Sequence, residues 1–132
     1  MYSERLLERF RDPPCAGEAG PPAVVVRVEN PACGDVLQLS VRIEAGRIAE
    51  ARFKAQGCPP AIACGSVVAQ WLEGRTLEEA VNLGTSVIEQ EVGGLPPASR
   101  HAAALALDAV RAVVERARAS ESSGEGSRGG AP

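Results

Sequence analysis

Apolar and polar residues alternate along the first half of the chain and follow a helical period along the second half. The strictest alternation lies in residues 36–43, where aliphatic side chains take every second position. This pattern predicts a half-buried strand. A second strand is predicted at residues 23–29, which are β-branched and apolar. A third is predicted at residues 47–54, which follow a turn. Because the connections are short, we expect the three strands to form an antiparallel meander.

The remaining apolar residues recur at the spacing of helices. A short helix is predicted at residues 3–11, and longer helices are predicted at residues 60–73 and 99–118. Thr76 and Ser86 are each followed three residues later by a glutamate, which is the spacing of a capping box, so each should begin a short helix. The predicted fold is therefore α/β of the α+β kind, a three-stranded antiparallel sheet packed by helices.

The length and charge of the chain limit its organisation and its partners. At 132 residues the chain can form one domain with its own core. We expect this domain to cover residues 1–118, and residues 119–132, rich in Ser and Gly, to form a disordered tail. The net charge of −3 argues against nucleic acid as a partner, since phosphates require a basic surface.

The lengths of the apolar segments indicate the cellular location of the protein. No apolar run approaches the length of about 20 residues that spans a membrane, and the first residues lack the apolar block of a signal peptide. We therefore expect a cytoplasmic protein that does not associate with membranes.

The four cysteines are the first candidates for chemistry: Cys15, Cys33, Cys58 and Cys64. In a reducing compartment, cysteines in loops serve as metal ligands or reactive thiols more often than as disulfides. Cys64 shares a helical stripe with apolar residues, so it is predicted to be a core residue, although it could act as an additional ligand. Cys15 lies in a Pro/Gly-rich segment and is predicted to be an exposed thiol without an assigned role.

In the predicted meander, the end of the first strand, the start of the second and the end of the third lie at the same edge of the sheet. We therefore expect Cys33, Asp35 and Cys58 to lie together at this edge. Cys58 directly precedes a predicted helix, whose partial positive charge favours the thiolate. We therefore expect a site that binds a metal or accepts sulfur. His101, the only histidine, begins the last helix, where a neutral ring could coordinate a metal, but periodicity alone favours a member of the solvated stripe over a ligand.

Several longer stretches carry a family resemblance. In order along the chain they are YSERLLERFRDPP, ENPACGD, ARFKAQGC, AIACGS and LPPASRHAAALALDAV. Together they resemble the iron–sulfur cluster scaffold family of IscU and the N-terminal domain of NifU, over about residues 2–118. The resemblance implies that the ligands are Cys33, Asp35, Cys58 and His101.

The resemblance also implies a function. A [2Fe–2S] cluster would be assembled from iron and from sulfane sulfur delivered by a cysteine desulfurase, with Cys33 and Cys58 as persulfide acceptors. The cluster would then pass to iron–sulfur acceptor proteins. A protein of this kind is a scaffold and not an enzyme in its own right.

The chain departs from the family pattern after the histidine, where family members have a cysteine and this chain has Ala102. Two Cys, one Asp and one His still supply four donors for a labile [2Fe–2S] cluster, but they equally suit tetrahedral Zn²⁺. Cys64 could be a displaced third thiolate. The alternatives are therefore a zinc-binding sulfur acceptor that serves a cysteine desulfurase and holds no stable cluster, or a metal-free module that docks on the desulfurase.

The segment after L-P-P differs as well. Family members that are bound by an Hsp70-type chaperone carry a lysine there, and this chain has Ala98 and Ser99. The resemblance therefore leaves a chaperone partner open.

Overall fold

The described elements follow the predicted order of a meander and then helices. The computed structural model describes residues 2–32 and 34–127, with side chains as far as Ser120. The elements are α1 (Glu4–Arg11), β1 (Val24–Asn30), β2 (Asp35–Glu44), β3 (Arg47–Gln56), α2 (Pro59–Leu72), α3 (Leu77–Ala80), α4 (Thr85–Glu91), a 3₁₀ turn (Pro97–Ser99) and α5 (Arg100–Ser127).

The three strands form one antiparallel sheet in the order β1-β2-β3, which confirms the predicted fold class. The alternating residues of β2 face the helices and are buried: Leu37, Leu39 and Val41. In the register, Asn30 pairs with Asp35 and Val36 pairs with Gln56. The end of β1, the start of β2 and the end of β3 therefore lie together at one edge.

Helix α2 lies very close to the sheet at Gly65. A methyl group built on Gly65 would be 2.8 Å from Cδ2 of Phe53 and 2.9 Å from Cδ1 of Leu37. Carbon atoms in van der Waals contact are about 3.5–4.0 Å apart, so the helix can pack at this distance only because Gly65 has no side chain. This close packing sets the position of the start of α2 relative to the sheet edge.

We expect Gly65→Ala to destabilise the protein. Overpacking of a core costs about 1–3 kcal/mol, and the better helix propensity of alanine recovers at most about 1 kcal/mol of this. Urea unfolding should therefore show a net loss of stability. The matched control is Gly84→Ala, at a negative φ of −120° where no described atom lies within 4 Å of the new methyl group. Equal stability of Gly65→Ala and the wild type would contradict the close packing.

The two predicted capping boxes have different outcomes. At Thr76 the box is confirmed, because its side chain accepts from the N–H of Glu79 and the Glu79 carboxylate accepts from the N–H of Thr76. The prediction for Ser86 is wrong. Gly84 takes the extended N-cap conformation, α4 begins at Thr85, and Ser86 therefore lies inside the first turn.

The last helix is longer than predicted. Helix α5 continues to Ser127, past the predicted end at residue 118, and the sequence between these positions contains no proline to end it. The disordered tail at residues 119–132 stays a prediction, and residues 128–132 lie outside the described part of the chain. Among the helices of the described ranges, none is both long and apolar enough to cross a membrane.

Candidate metal centre

Three of the four predicted ligands converge at this sheet edge. Asp35 begins β2, Cys58 is the N-cap residue of α2, and His101 lies in the first turn of α5. One ligand atom from each side chain lies within 4.8 Å of the other two. The three residues come from distant parts of the chain, so the sheet register and the packing of α2 and α5 create the site.

Cys33, the fourth predicted ligand, lies outside the described residues. In the sequence it lies between Asn30 and Asp35, which are paired across β1 and β2. Its role as a ligand stays a prediction.

The carboxylate of Asp35 is the centre of the group. Its Oδ1 accepts a hydrogen bond from the backbone N–H of Cys58 at 3.3 Å. Its Oδ2 is 3.4 Å from Sγ of Cys58 and 3.4 Å from Nε2 of His101. The residue is only 4% exposed, and a carboxylate buried to this degree requires compensating partners. Because Oδ2 is 3.4 Å from both Sγ of Cys58 and Nε2 of His101, it marks the point at which the three side chains meet.

The ring of His101 presents an electron pair to this point. Its Nδ1 lies 3.1 Å from the carbonyl oxygen of Ala98, and a carbonyl can only accept, so Nδ1–H is the donor. When the ring is neutral, Nε2 therefore carries the lone pair. Nε2 is buried, and no hydrogen-bond partner for it exists among the described residues. A lone pair facing a carboxylate oxygen fits a cation placed between them, so the donors fit a metal ion.

The backbone contact of His101 is a feature that sequence reasoning missed. Metal-ligating histidines usually donate their second ring N–H to a carbonyl or carboxylate, which fixes the tautomer and the orientation of the ring. The 3₁₀ turn Pro97–Ser99 places the carbonyl of Ala98 there. The sequence carried no signal for this contact, because a backbone carbonyl is present at every residue.

The protonation of Cys58 differs from the prediction. The helix start was expected to favour the thiolate, but burial, the largest effect, raises the pKa of the Cys58 thiol. The backbone N–H of Ala61 does lower this pKa, the neighbouring Asp35 raises it, and the net shift is upward. The first two helical positions, Pro59 and Pro60, have no N–H to stabilise a thiolate. The thiol therefore donates to Oδ2 of Asp35, and a metal ion would replace this proton.

Cys64 is a core residue, as predicted. It is 0% exposed and belongs to the main hydrophobic cluster, and burial raises its pKa to about 12. The group of converging ligand atoms in the described part of the chain consists of Asp35, Cys58 and His101. The role of Cys64 as an additional ligand stays a prediction.

Removing this buried thiol should change how stability depends on pH. The folded pKa of Cys64 is about 12, above the usual thiol value of about 8.5. The unfolded chain therefore ionises first, and stability is lost as pH rises from about 8.5 towards the folded pKa, at about 1.4 kcal/mol per pH unit. In Cys64→Ala this component is absent.

The measurement is urea unfolding of the metal-free wild type and Cys64→Ala between neutral and alkaline pH. Both proteins retain the other thiols, so the difference between their slopes isolates Cys64. At neutral pH the variant should lose about 1 kcal/mol, as a one-group core truncation does, and bind as much metal as the wild type. Identical slopes would show that the thiol is not buried, and loss of metal would show that Cys64 is a ligand.

Cys15 is less exposed than predicted. Its backbone carbonyl accepts from the N–H of Phe53 and the N–H of Gly17 donates to the carbonyl of Phe53, so this segment covers the outer edge of β3. The side chain is half-buried, with Sγ 4.0 Å from a carboxylate oxygen of Glu73. Burial and this carboxylate raise the pKa of the Cys15 thiol, and nothing in this arrangement connects it to the metal centre.

The sequence matches the family model described as "NifU-like N terminal domain" over residues 1–122. The iron–sulfur cluster assembly scaffold protein IscU of Azotobacter vinelandii is 38% identical over 117 residues, covering 86% of this chain and 91% of that protein. The iron–sulfur cluster assembly enzyme IscU of Drosophila melanogaster is 36% identical over 118 residues, covering 86% of this chain and 76% of that protein.

Solved structures share the fold. A putative iron–sulfur cluster assembly scaffold protein from Fervidobacterium islandicum superimposes with a TM-score of 0.71 at 18% identity, over 86% of this chain and 96% of that one. A NifU-like protein (N-terminal) from Brucella abortus gives a TM-score of 0.65 at 22% identity, over 91% of this chain and 94% of that one. At these identities the likeness concerns the fold alone.

The family model covers nearly the whole chain, and the relatives named IscU align over most of their own length. The sheet, the helices and the converging Asp, Cys and His agree with this match. The chain therefore belongs to the NifU-like N-terminal domain family.

Proposed function

We propose that this chain is a scaffold on which a [2Fe–2S] cluster is assembled and from which it passes to iron–sulfur acceptor proteins. The observation that supports this most is the convergence of Asp35, Cys58 and His101 within 4.8 Å, in a chain whose relatives are named as iron–sulfur cluster assembly scaffolds. The cluster is cargo in this proposal, and the chain is a carrier rather than an enzyme.

Each ligand has a distinct part in the proposal. The thiolates of Cys33 and Cys58 bind iron, since thiolates are the usual ligands of these clusters. Nε2 of His101 and Oδ2 of Asp35 complete the set. Because the Cys58 thiol keeps its proton and donates it to Asp35 in a hydrogen bond, iron binding releases that proton, so loading should become weaker as pH falls.

Cys33 and Cys58 also accept sulfur in this proposal. A thiolate attacks the outer sulfur of the persulfide on a cysteine desulfurase, the desulfurase cysteine leaves as a thiolate, and the sulfane sulfur is transferred without net oxidation. Conversion of the bound persulfide into sulfide then takes two electrons from an external electron donor. The partners are thus a cysteine desulfurase and acceptor proteins, in the cytoplasm, and an Hsp70-type chaperone is left open.

A second function is favoured by one observation. Ala102 stands where the resemblance places a third cysteine, and the remaining S, O and N donors suit tetrahedral Zn²⁺. In this alternative the chain holds zinc, accepts persulfide sulfur for a cysteine desulfurase and carries no stable cluster.

Anaerobic reconstitution tests the two functions against each other. The full chain is incubated with Fe²⁺, cysteine, a cysteine desulfurase and a thiol reductant, and visible absorbance, bound iron, bound zinc and sulfide are measured. The scaffold proposal predicts equal amounts of iron and sulfide, and transfer of the cluster to a metal-free ferredoxin. Bound zinc and persulfide without a cluster would support the alternative, and neither metal nor persulfide would contradict both.

A further inference from the structure

We propose that Gly57 is a positioning residue of the metal centre, because its missing side chain leaves the space that the carboxylate of Asp35 occupies. The inference rests on the proposed metal-binding function and adds a residue that binds no metal itself. Gly57 directly precedes the proposed ligand Cys58 and is not itself one of the proposed ligands.

The contact between the two residues is direct. A methyl group built on Gly57 would overlap Oδ1 of Asp35 and would lie 2.7 Å from its Cγ and 3.1 Å from its Cβ. These three nearest atoms all belong to the same side chain. The pair Val36 and Gln56 ends the ladder between β2 and β3, so Asp35 and Gly57 face each other one step beyond it.

The space at Gly57 determines where the carboxylate points. Asp35 is 4% exposed, so its side chain is enclosed and a methyl group at Gly57 would force it to move within the site. In its present position Oδ1 accepts from the N–H of Cys58. That bond orients Oδ2 towards the Cys58 thiol and the His101 ring.

This orientation has a consequence for the choice of metal. With Oδ1 engaged by a backbone N–H, the carboxylate presents one oxygen to an ion at the point where the three side chains meet. Single-oxygen ligation beside S and N donors suits a four-coordinate ion, whereas Ca²⁺ takes six to eight oxygen ligands and often binds a carboxylate through both oxygens. Gly57 therefore favours a tetrahedral metal.

A glycine can also be needed for its backbone alone, and Gly57 has a φ of +152°. The two explanations differ in whether a substitution at Asp35 reduces the cost of Gly57→Ala. Backbone strain in Gly57→Ala would be the same whatever residue occupies position 35. A clash with the carboxylate would be relieved when Asp35 is also replaced by alanine.

The first experiment is a double-mutant cycle on the metal-free protein, with the wild type, Gly57→Ala, Asp35→Ala and the double variant compared by urea unfolding. We expect Gly57→Ala to cost clearly less stability in the Asp35→Ala background. Should Gly57→Ala alone fail to fold while the double variant folds, the result supports the clash. An equal cost in both backgrounds would overturn the proposal.

The second experiment titrates Co²⁺, whose absorption spectrum reports ligand geometry, into the wild type and Gly57→Ala. Changes next to a metal site reduce affinity by about 10–100-fold, so we expect a loss of that size and an altered ligand-field spectrum. The matched control is Gly74→Ala, at a φ of +89° with no described atom within 4 Å of the new methyl group; it should keep wild-type affinity and spectrum.

The two experiments separate this inference from the proposed function. Wild-type affinity and spectrum in Gly57→Ala would overturn the positioning role and leave the scaffold proposal standing. If the wild type binds Co²⁺ but never assembles a cluster, the scaffold proposal fails, while the coupling between Gly57 and Asp35 still supports the positioning role.

Discussion

Replacing Cys58 with serine should reduce the affinity for Zn²⁺ by about 100-fold or more. Loss of a residue that only supports a metal ligand costs about 10–100-fold, and Cys58 is the proposed thiolate ligand itself. Serine keeps the size of the side chain and the N-cap position of α2, but its hydroxyl has a far higher pKa than a thiol and does not provide a soft anionic ligand at neutral pH. Competition titration with a zinc chelator measures the change.

The matched control for this prediction is Cys15→Ser. The substitution is chemically the same, and Cys15 is half-buried beside Glu73, in the segment that covers β3. It should bind Zn²⁺ as the wild type does. Equal affinities of Cys58→Ser and Cys15→Ser would contradict the assignment of Cys58 as a ligand.

Replacing Ala102 with cysteine should lengthen the lifetime of a reconstituted [2Fe–2S] cluster by about tenfold or more, given the size of metal-site effects. Ala102 follows His101, a proposed ligand, on α5 and is 1% exposed, and the change adds one sulfur atom. Thiolates hold iron–sulfur clusters better than harder donors. The measurement is the decay of cluster absorbance in air, with the wild type alongside.

The control for Ala102→Cys is the double variant Cys64→Ala, Ala102→Cys. Cys64 is buried in the same hydrophobic cluster as Ala102, so the double variant shows whether the gain needs the native thiol. A long lifetime in both variants would assign the gain to position 102. Equal lifetimes of the wild type and Ala102→Cys would show that this position does not face the cluster.

The meeting of distant residues at the sheet edge was predictable because alternation determines register. The strict pattern of β2 puts Leu37, Leu39 and Val41 on the buried face, and a slip by one residue would expose all of them. Once this register and the short turns are given, Asp35 and Cys58 must lie at the same end of the sheet. The convergence of Asp35 and Cys58 therefore followed from local patterns, whereas His101 was placed beside them only by the family resemblance.

The chemical state of the site was not predictable in the same way. The expected thiolate at Cys58 rested on the helix terminus, a local feature, whereas burial and the neighbouring Asp35 raise the pKa of this thiol. Both causes depend on tertiary packing. The orientation of His101 likewise depends on the carbonyl of Ala98, because a backbone oxygen leaves no signature in the residue types.

Two local predictions failed, each for a different reason. Gly84 and Ser86 both offer a helix start, and the extended conformation of Gly84 takes the N-cap position first. Cys15 lies in a segment whose Pro and Gly residues suggested an exposed loop. Its backbone instead pairs with Phe53, and a pairing between residues so far apart in the chain has no local pattern.

The most direct test of the metal centre is X-ray absorption spectroscopy of the full chain loaded with one equivalent of Zn²⁺. We expect two sulfur neighbours at about 2.3 Å and two nitrogen or oxygen neighbours at about 2.0–2.2 Å, one of them with the outer-shell pattern of an imidazole. These would be Cys33, Cys58, Asp35 and His101. A zinc ion surrounded only by nitrogen and oxygen, or by three sulfur atoms, would contradict this ligand set.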